Sequence, residues 1–412
     1  MGHKPNNECR LLIVDDEEKL CRTIKRVADK SGIESRILDD LGSFTEVISE
    51  YEPNLIFLDL NMPKIDGIQL LLQLKNVSQV PDIYLISGVD PSVLATASRI
   101  AKSHGLSIKG MLTKPLDWSK ILEIFSKEPV SPIDNKSYAN SHVNSLNINT
   151  GISEDKVIPG ISVFDLDYAI KNNQIYLEYQ PKIALGSGKI VGVEALARWT
   201  HPKYGNIPPV VFIPFAEKNN QIAKLTFFLI SYAIADYSLL ERKLGKIKLS
   251  LNISALLLDD IELPEKLHAI FQKSSISSEN IILEITETEN TDENSSTMEV
   301  LSRLRIKGFT LSIDDYGTGY ASLSKLLSYP FSELKIDRKF IMSLLDDNDS
   351  KILVQSTIEM ANRFNLKTVA EGIEDSETLQ WLIQKGCTEG QGYHLCKPKT
   401  AIGLIQWHLE NS

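Results

Sequence analysis

The chain has 412 residues and a net charge of −10, with 42% apolar and 24% charged residues. This length predicts two or three domains, and the composition is typical of globular proteins with a sizeable core. The acidic balance argues against general binding to DNA or RNA, which requires a basic surface for the phosphates. The four cysteines are widely scattered and the N-terminus lacks an apolar signal segment, so we expect a cytoplasmic protein without disulfides or a membrane span.

The first part of the chain alternates short apolar runs with amphipathic segments. It predicts strands at 10–14, 34–38, 54–58, 82–86 and 107–112, with helices at 17–31, 41–51, 66–76, 91–103 and 117–126. Continuous apolar strands that alternate with helices indicate a parallel sheet covered on both faces. We therefore expect a doubly wound, five-stranded α/β domain over residues 8–127, with its site at the C-terminal ends of the strands.

Polar side chains lie at or next to the ends of these predicted strands. Asp15 and Asp16 follow the first strand, Asp59 the third, Ser87 the fourth and Lys114 the fifth. A lone aspartate after a strand is usually a helix cap. Together, however, these residues can form a Mg²⁺ site beside a carboxylate that accepts a phosphoryl group, with Ser87 and Lys114 holding the phosphate oxygens.

The segments "LLIVDDEE", "LIFLDLNMPKIDG", "LISG" and "LTKP" that contain these residues resemble response-regulator receiver domains. The resemblance implies that a sensor histidine kinase phosphorylates Asp59, with one Mg²⁺ bound by the three aspartates. One position departs from the family, because receivers usually carry Tyr or Phe three residues before the lysine, where this chain has Met111. We therefore expect phosphorylation as the input, without an aromatic switch and with the sign of its effect open.

Residues 128–158 are rich in Asn and Ser and predict a flexible linker. A second alternating series follows, with strands predicted at 175–183, 190–199, 247–254, 280–286, 309–314, 333–337, 367–373 and 387–393. Seven or eight strands with intervening helices indicate a (β/α) barrel. Only "ALGSGK" joins the first two strands, which predicts an antiparallel hairpin. We expect a modified TIM-type (β/α)₈ barrel with one antiparallel strand over residues 159–410.

Carboxylates, amides and a lysine lie at the predicted strand ends of this second domain. They are Glu194, Asn252, Glu284, Asp314, Asp315, Lys335, Glu371 and Gln391. All strands of such a barrel point at one mouth, where catalytic residues lie. One such residue alone would be a cap or an ion-pair partner, but so many buried acids would repel one another unless cations neutralised them. The all-oxygen donor set favours Mg²⁺ or Mn²⁺ over zinc and suits phosphodiester hydrolysis.

The second domain resembles the EAL domains, which are metal-dependent phosphodiesterases that open cyclic di-GMP to linear pGpG. The resemblance covers roughly residues 160–410 and rests on "EALAR" at 194–198 with "YQPKI", "LNIS", "LEITE", "IDDYGTGYASL", "LKIDR", "AEGIE" and "GQGY", in family order. A cyclase is not expected, because no GGDEF-type motif occurs in the chain. The whole chain thus resembles a response regulator with a phosphodiesterase output domain.

The resemblance implies a role for each matching residue. One metal ion would be bound by Glu194, Asn252, Glu284 and Asp314, and a second by Asp315 with Asp314 bridging. Glu371 would be the general base or a ligand of the second metal, and Lys335 would orient the attacking water or bear on the phosphate. The implied substrate contacts are Gln180, Arg198, Gln391 and Asp337. Glu287 would anchor the loop at 314–322, whose glycines suggest that it moves.

A second class of function stays open beside the enzyme. A catalytically silent EAL domain could serve as a cyclic di-GMP-binding or protein-interaction module. Such degeneration normally removes an acid of the site, and every expected acid is present here, so we favour the enzyme. Receivers and EAL domains commonly pair, so the resemblance also implies a dimer or tetramer.

Overall fold

The structure is a computed structural model that describes residues 9–63, 65–77, 80–88, 91–126, 161–274, 276–286, 295–317 and 323–411. The predicted linker at 128–158, Glu287 and part of the 314–322 loop lie outside the described residues. Within the described ranges, the strands form one five-stranded and one nine-stranded sheet.

The N-terminal sheet consists of β1 (Arg10–Val14), β2 (Glu34–Ile37), β3 (Leu55–Asp59), β4 (Asp82–Ser87) and β5 (Ser107–Thr113). All four pairings are parallel and the order is β2-β1-β3-β4-β5. The flanking helices are α1 (Glu18–Lys30), α2 (Phe44–Tyr51), α3 (Gly67–Gln73), α4 (Pro91–Ser103) and α5 (Trp118–Ser126). Alternate residues of β1 enter two apolar clusters, Leu12 and Val14 in one and Leu11 and Ile13 in the other. The predicted doubly wound, five-stranded parallel fold is confirmed.

The C-terminal sheet closes into a barrel. Its strands are β6 (Ile175–Ala184), β7 (Lys189–His201), β8 (Gly205–Ile207), β9 (Lys248–Ile253), β10 (Ile281–Thr286), β11 (Thr310–Tyr316), β12 (Glu333–Ile336), β13 (Lys367–Ala370) and β14 (Glu389–Gly390). The order is β6-β14-β13-β12-β11-β10-β9-β7, with β7 pairing back to β6 and β8 added beside β7. Strand β6 is antiparallel to both of its neighbours in the barrel. The predicted modified barrel with one antiparallel strand is confirmed.

Helices surround the barrel. They are α6 (Val163–Lys171), α7 (Pro209–Lys218), α8 (Ile222–Leu244), α9 (Leu263–Ser274), α10 (Ser295–Ile306), α11 (Leu323–Ser328), α12 (Arg338–Met342), α13 (Asn348–Arg363), α14 (Ser376–Gln384) and α15 (Ala401–Asn411). By length and composition alone, α8 could cross a membrane. In the structure its residues Leu225, Ile230, Ala233 and Leu240 are buried in the core cluster of the barrel. The apolar face of α8 therefore packs as part of the outer helical layer.

The last two barrel strands are shorter than the sequence predicts. Pairing between β13 and β14 involves only Val369 with Glu389 and Ala370 with Gly390. Beyond them, the Glu371 N–H donates to the Ile336 carbonyl at 3.2 Å. Glu371 therefore lies just past the end of β13, where its side chain is free of the regular strand alternation.

Candidate active site

Four carboxylates and one lysine meet at the C-terminal mouth of the barrel. Lys335 Nζ on β12 lies 2.7 Å from Glu371 Oε1 and 2.8 Å from Glu284 Oε2. The same nitrogen lies 3.1 Å from Asp314 Oδ1 and 3.4 Å from Glu194 Oε1. One ammonium group cannot balance four carboxylates. The structure thus brings five of the predicted site residues into one cluster with excess negative charge.

Asp314 and Asp315 both contribute to this site because β11 is irregular between them. Successive residues of a strand normally point to opposite faces, but the register of β11 against β12 shifts between Ile313 and Tyr316. Asp315 has a φ of 55°, in the left-handed region, and its N–H donates to Asp314 Oδ1 at 3.0 Å. A bulge of this kind re-aims a side chain. Carboxylate oxygens of Asp314, Asp315 and Glu371 accordingly lie within 4.8 Å of one another.

Burial and mutual repulsion disfavour the ionised form of several of these acids. Burial, with the charge of Glu284, raises the pKa of Glu194 to about 7. Burial also raises the pKa of Glu371 well above its usual range. Burial and the neighbouring Asp314 raise the pKa of Asp315 to about 6. A bound cation would lower the free energy of the ionised forms and reverse these shifts.

A second buried lysine, which the sequence analysis did not single out, lies beneath the cluster. Lys182 Nζ on β6 is 2.9 Å from Glu333 Oε1 and 3.5 Å from Glu284 Oε1, and its side chain is fully buried. Burial pushes the pKa of Glu284 upward, but Lys335 and Lys182 outweigh that effect and lower it to about 2. Glu284 is therefore held as a carboxylate. Its spacing in the sequence could have identified Lys182, because it is two residues from Gln180 and so faces the same side of β6.

Two amides connect the acids at the mouth. Gln391 Nε2 donates to Glu194 Oε2 at 2.6 Å and to Glu371 Oε1 at 3.0 Å. Asn252 Nδ2 donates to Glu194 Oε1 at 3.2 Å. Gln391 Oε1 is buried and has no hydrogen-bond donor among the described residues. Buried carboxylates beside an unused amide oxygen fit Mg²⁺ or Mn²⁺, which prefer oxygen ligands.

The predicted substrate-binding residues lie around the same mouth. Gln180 stands opposite Glu194 in the β6–β7 pairing. Arg198 is four residues beyond Glu194 on β7, which places it on the same face, and its Nε donates to Glu178 Oε2 at 2.8 Å. Asp337 caps α12 and contributes to the raised pKa of Asp315, after burial and Asp314. Glu178 was not predicted, although its alternation with Gln180 places it on the same face of β6.

The receiver-like domain contains a smaller acidic site at its strand ends. Lys114 Nζ lies 2.8 Å from Asp59 Oδ2, 2.9 Å from Asp15 Oδ2 and 2.8 Å from Glu17 Oε1. Carboxylate oxygens of Asp15, Asp16 and Asp59 lie within 4.8 Å of one another. These oxygen donors fit a Mg²⁺ ion. The structure therefore brings the predicted aspartates and lysine together, and adds Glu17.

The remaining receiver positions lie on β3, on β4 beside it and on the edge strand β5. Burial raises the pKa of Asp59 to about 6, although Lys114 opposes the shift. Ser87 is fully buried at the end of β4, and its carbonyl accepts a hydrogen bond from the Lys114 N–H at 3.0 Å. Met111, at the position where the family usually has an aromatic residue, is 47% exposed on β5.

Known proteins share both the domains and their order. Residues 164–398 match the EAL domain, and residues 11–126 match the response regulator receiver domain. The chain is 30% identical to the cyclic di-GMP phosphodiesterase RocR of Pseudomonas aeruginosa over 95% of this chain and 96% of RocR. It is 36% identical to the probable cyclic di-GMP phosphodiesterase PdeB of Escherichia coli, over 59% of this chain and 46% of PdeB.

A solved structure supports the same assignment for the barrel. The structure of the PaMucR phosphodiesterase in complex with c-di-GMP is 36% identical, with a TM-score of 0.56, over 59% of this chain and 98% of that chain. That share of the chain is similar in length to the EAL match at 164–398. The chain belongs to the EAL domain family and carries an N-terminal response regulator receiver domain.

Proposed function

We propose that this protein is a response regulator whose barrel hydrolyses cyclic di-GMP to linear pGpG with Mg²⁺ or Mn²⁺, under the control of phosphorylation at Asp59. The observation that carries this proposal is the cluster of four carboxylates around Lys335. RocR, a cyclic di-GMP phosphodiesterase that is similar to this chain across both domains, supports cyclic di-GMP as the substrate.

The acids of the mouth are the proposed metal ligands. One ion is assigned to Glu194, Asn252, Glu284 and Asp314, and a second to Asp315, with Asp314 shared. Glu371 is either a further ligand of the second ion or the general base. When bound, the divalent ions supply positive charge to the phosphoryl oxygens and lower the pKa of bound water. Lys335 and Lys182 hold Glu284 in its ionised form, so at least one ligand is ready to bind a cation at neutral pH.

Glu371 and Lys335 are the proposed residues for handling the attacking water. Burial raises the pKa of Glu371 and nearby cations would oppose that shift, so its carboxylate can be ionised near neutral pH and act as a base. Gln391 fixes this carboxylate by donating to Oε1 at 3.0 Å. Glu371 can therefore accept a proton from water, while Lys335, 2.7 Å away, orients the water or binds a phosphate oxygen.

Polar groups around the mouth are the proposed contacts for the nucleotide. Glu178 orients the guanidinium of Arg198 by a hydrogen bond of 2.8 Å, and a guanidinium is suited to phosphate oxygens. Gln180, Gln391 and Asp337 supply hydrogen-bond partners at buried positions. Binding at these positions would place the phosphodiester over the acidic cluster.

The remaining assignments concern the context of the reaction. We place a receiver at 8–127, a linker at 128–158 and the phosphodiesterase barrel at 159–410. A sensor histidine kinase is the proposed phosphodonor for Asp59, with Ser87 and Lys114 supporting the phosphoryl group. The protein is proposed to act in the cytoplasm as a homodimer or tetramer.

The experiment that tests the enzyme is hydrolysis of cyclic di-GMP with Mg²⁺ or Mn²⁺ by the wild type, Glu194→Ala and Glu371→Ala. Formation of pGpG by the wild type alone is the expected result. A wild type that binds cyclic di-GMP but is no faster than Glu371→Ala would instead be a binding module. For the input, acetyl phosphate should label the wild type and not Asp59→Asn, and labelling that persists in Asp59→Asn would exclude Asp59 as the acceptor.

A further inference from the structure

The receiver and the barrel share a buried interface between α4 and α10. Ile306, the last residue of α10, is 5% exposed and belongs to an apolar cluster that otherwise consists of receiver residues. Met298, about two turns earlier on α10, packs against the same cluster. A barrel helix thus completes part of the receiver core, so the two domains are packed together and not merely tethered.

Arg303 on α10 forms the main polar contact across this interface. Its Nε lies 2.9 Å from Asp66 Oδ2 of the receiver, and both side chains are at most 2% exposed. Its terminal nitrogens bind Glu265 Oε2 at 2.5 Å and the Ile261 carbonyl at 2.7 Å within the barrel. Arg303 also lies 3.3 Å from Glu299 Oε1 within the barrel. The interface contact is sensitive to small displacements, because opening it would separate the buried Asp66 carboxylate from the guanidinium that neutralises it.

Asp66 is connected directly to the phosphoacceptor strand. Its Oδ1 caps α3 by accepting from the Gln69 N–H at 3.0 Å, which leaves Oδ2 for Arg303. The next residue, Gly67, approaches β3 so closely that a Cβ there would lie 2.3 Å from the Asp59 carbonyl oxygen. The backbone of Asp59 is therefore packed tightly against the segment that positions the Asp66 carboxylate, the group that binds Arg303.

A second contact reaches α11 on the other side of β11. Arg99 Nη1 on α4 donates to the Leu327 carbonyl at 2.6 Å, and Thr96 Oγ1 donates to the Ser328 carbonyl at 3.4 Å. Three residues separate the end of α10 from the start of β11, and α11 follows β11 in the chain. The receiver therefore contacts both helices that flank the strand of Asp314 and Asp315.

We propose that the receiver controls the barrel by fixing the position of β11 through the two helices next to it in the chain. Asp66 binds Arg303 on α10, which precedes β11, and Arg99 binds the Leu327 carbonyl on α11, which follows it. Phosphorylation of Asp59 alters the β3–α3 junction, changes the Asp66–Arg303 contact and shifts the bulge at Asp314–Asp315. Arg303 and Arg99 are positioning residues in this scheme. The catalytic consequence rests on the proposed function, whereas the mechanical connection between the domains does not.

The test uses the full chain with Mg²⁺, with and without beryllofluoride as the phosphoryl analogue. Hydrogen exchange is followed by mass spectrometry in peptides that cover α10 (Ser295–Ile306) and β11 (Thr310–Tyr316). In the wild type, beryllofluoride should change exchange in both peptides by about fivefold, a common size of coupling between sites. Asp66→Asn keeps the helix cap but loses the charge, and should abolish that change.

Matched controls separate the contact from general damage. Asp40→Asn changes another capping aspartate of the receiver, which accepts from Gly42 N at 3.1 Å, and should respond as the wild type does. Lys102→Met, on the exposed side of α4, is the control for Arg99→Met, which should reduce the response. Arg303→Gln removes the contact from the barrel side and leaves the receiver sequence intact. It therefore tests the role of the Asp66–Arg303 contact even if Asp66→Asn fails to bind beryllofluoride.

The outcomes are distinct from those of the enzyme assay. A wild type whose α10 and β11 do not respond, or an Arg303→Gln variant that responds fully, would overturn the coupling. Because the exchange assay contains no nucleotide, a wild type that couples but forms no pGpG would refute the proposed function alone.

Discussion

The two acidic sites of the molecule place a lysine among carboxylates at different depths. In the receiver, the Lys114 side chain is 17% exposed. Its partners Asp15 and Asp59 are at most 2% exposed, but its third partner, Glu17, is 60% exposed. In the barrel, the Lys335 side chain is 1% exposed, and none of its four carboxylate partners exceeds 15%. Both the attraction between charges and the cost of removing them from water increase with depth.

This difference separates a site for signalling from a site for catalysis. In the receiver, solvent at Lys114 and Glu17 limits the cost of charges that are briefly unpaired, which suits the proposed exchange of a phosphoryl group with a partner protein. The deep barrel site is not reached by solvent in this way, so its acids depend on Lys335, on Lys182 and on the proposed divalent cations. The barrel should therefore suffer more than the receiver when one charge is removed.

The largest effect is expected for Glu371→Gln. Loss of a general base should reduce turnover of cyclic di-GMP by about 10³-fold, measured as pGpG formed per unit time. The control is Glu374→Gln, an exposed glutamate of the same segment, which should keep wild-type turnover. Bound Mn²⁺ should be measured in parallel, because retained Mn²⁺ with lost turnover assigns Glu371 to proton transfer and lost Mn²⁺ assigns it as a ligand.

Replacing Lys335 or Lys114 by methionine compares how much each lysine contributes to the free energy of unfolding at its depth. In metal-free protein, Lys335→Met should lower the free energy of unfolding of the barrel by about 3–5 kcal/mol, because buried carboxylates lose their counter-charge. Lys114→Met should cost the receiver less, about 2 kcal/mol, since Lys114 itself is 17% exposed and Glu17 is solvated, although Asp15 and Asp59 are buried. Urea denaturation of both variants measures the difference. Equal losses would mean that depth does not govern the two sites.

Removal of divalent cations should produce a smaller loss. A cation present at 100 times its dissociation constant stabilises the folded state by about 2.7 kcal/mol, so chelation should lower the melting temperature. Asp16→Asn changes the exposed part of the receiver site. This variant should keep most of the increase in melting temperature that Mn²⁺ gives the barrel. Asp315→Asn should remove a large part of it. The reverse order would locate the main stabilising cation in the receiver.

The sequence predicted the convergence of these residues better than their local geometry. Strand ends of a (β/α) barrel share one mouth, so Glu194, Asp314 and Lys335 could be placed together from the strand pattern alone. The bulge at Asp314–Asp315 could not, because nothing in "SIDDYG" requires the left-handed φ of 55° observed at Asp315. That conformation depends on the register shift against β12, which is a tertiary feature.

Long-range pairs were beyond sequence reasoning for a different reason. Asp66 and Arg303 are each ordinary surface residue types, and they are separated by 237 positions. Only the packing of α4 on α10 buries them together. Lys182 is an intermediate case, because the alternation of β6 placed it on the same face as Gln180, while its partner Glu333 lies at the start of β12.

The smallest expected effect concerns Met111, and it distinguishes two routes through the receiver. Met111 is 47% exposed on β5, so Met111→Phe should change stability by no more than about 0.5 kcal/mol. A relay through Asp66 begins at the β3–α3 junction and does not require an aromatic residue on β5. The ratio of turnover with and without beryllofluoride should therefore stay within about twofold of wild type, which is the equivalent of that energy. A response that grows several-fold in Met111→Phe but survives in Asp66→Asn would show that the signal travels through β5, and that the buried Asp66–Arg303 pair only joins the domains.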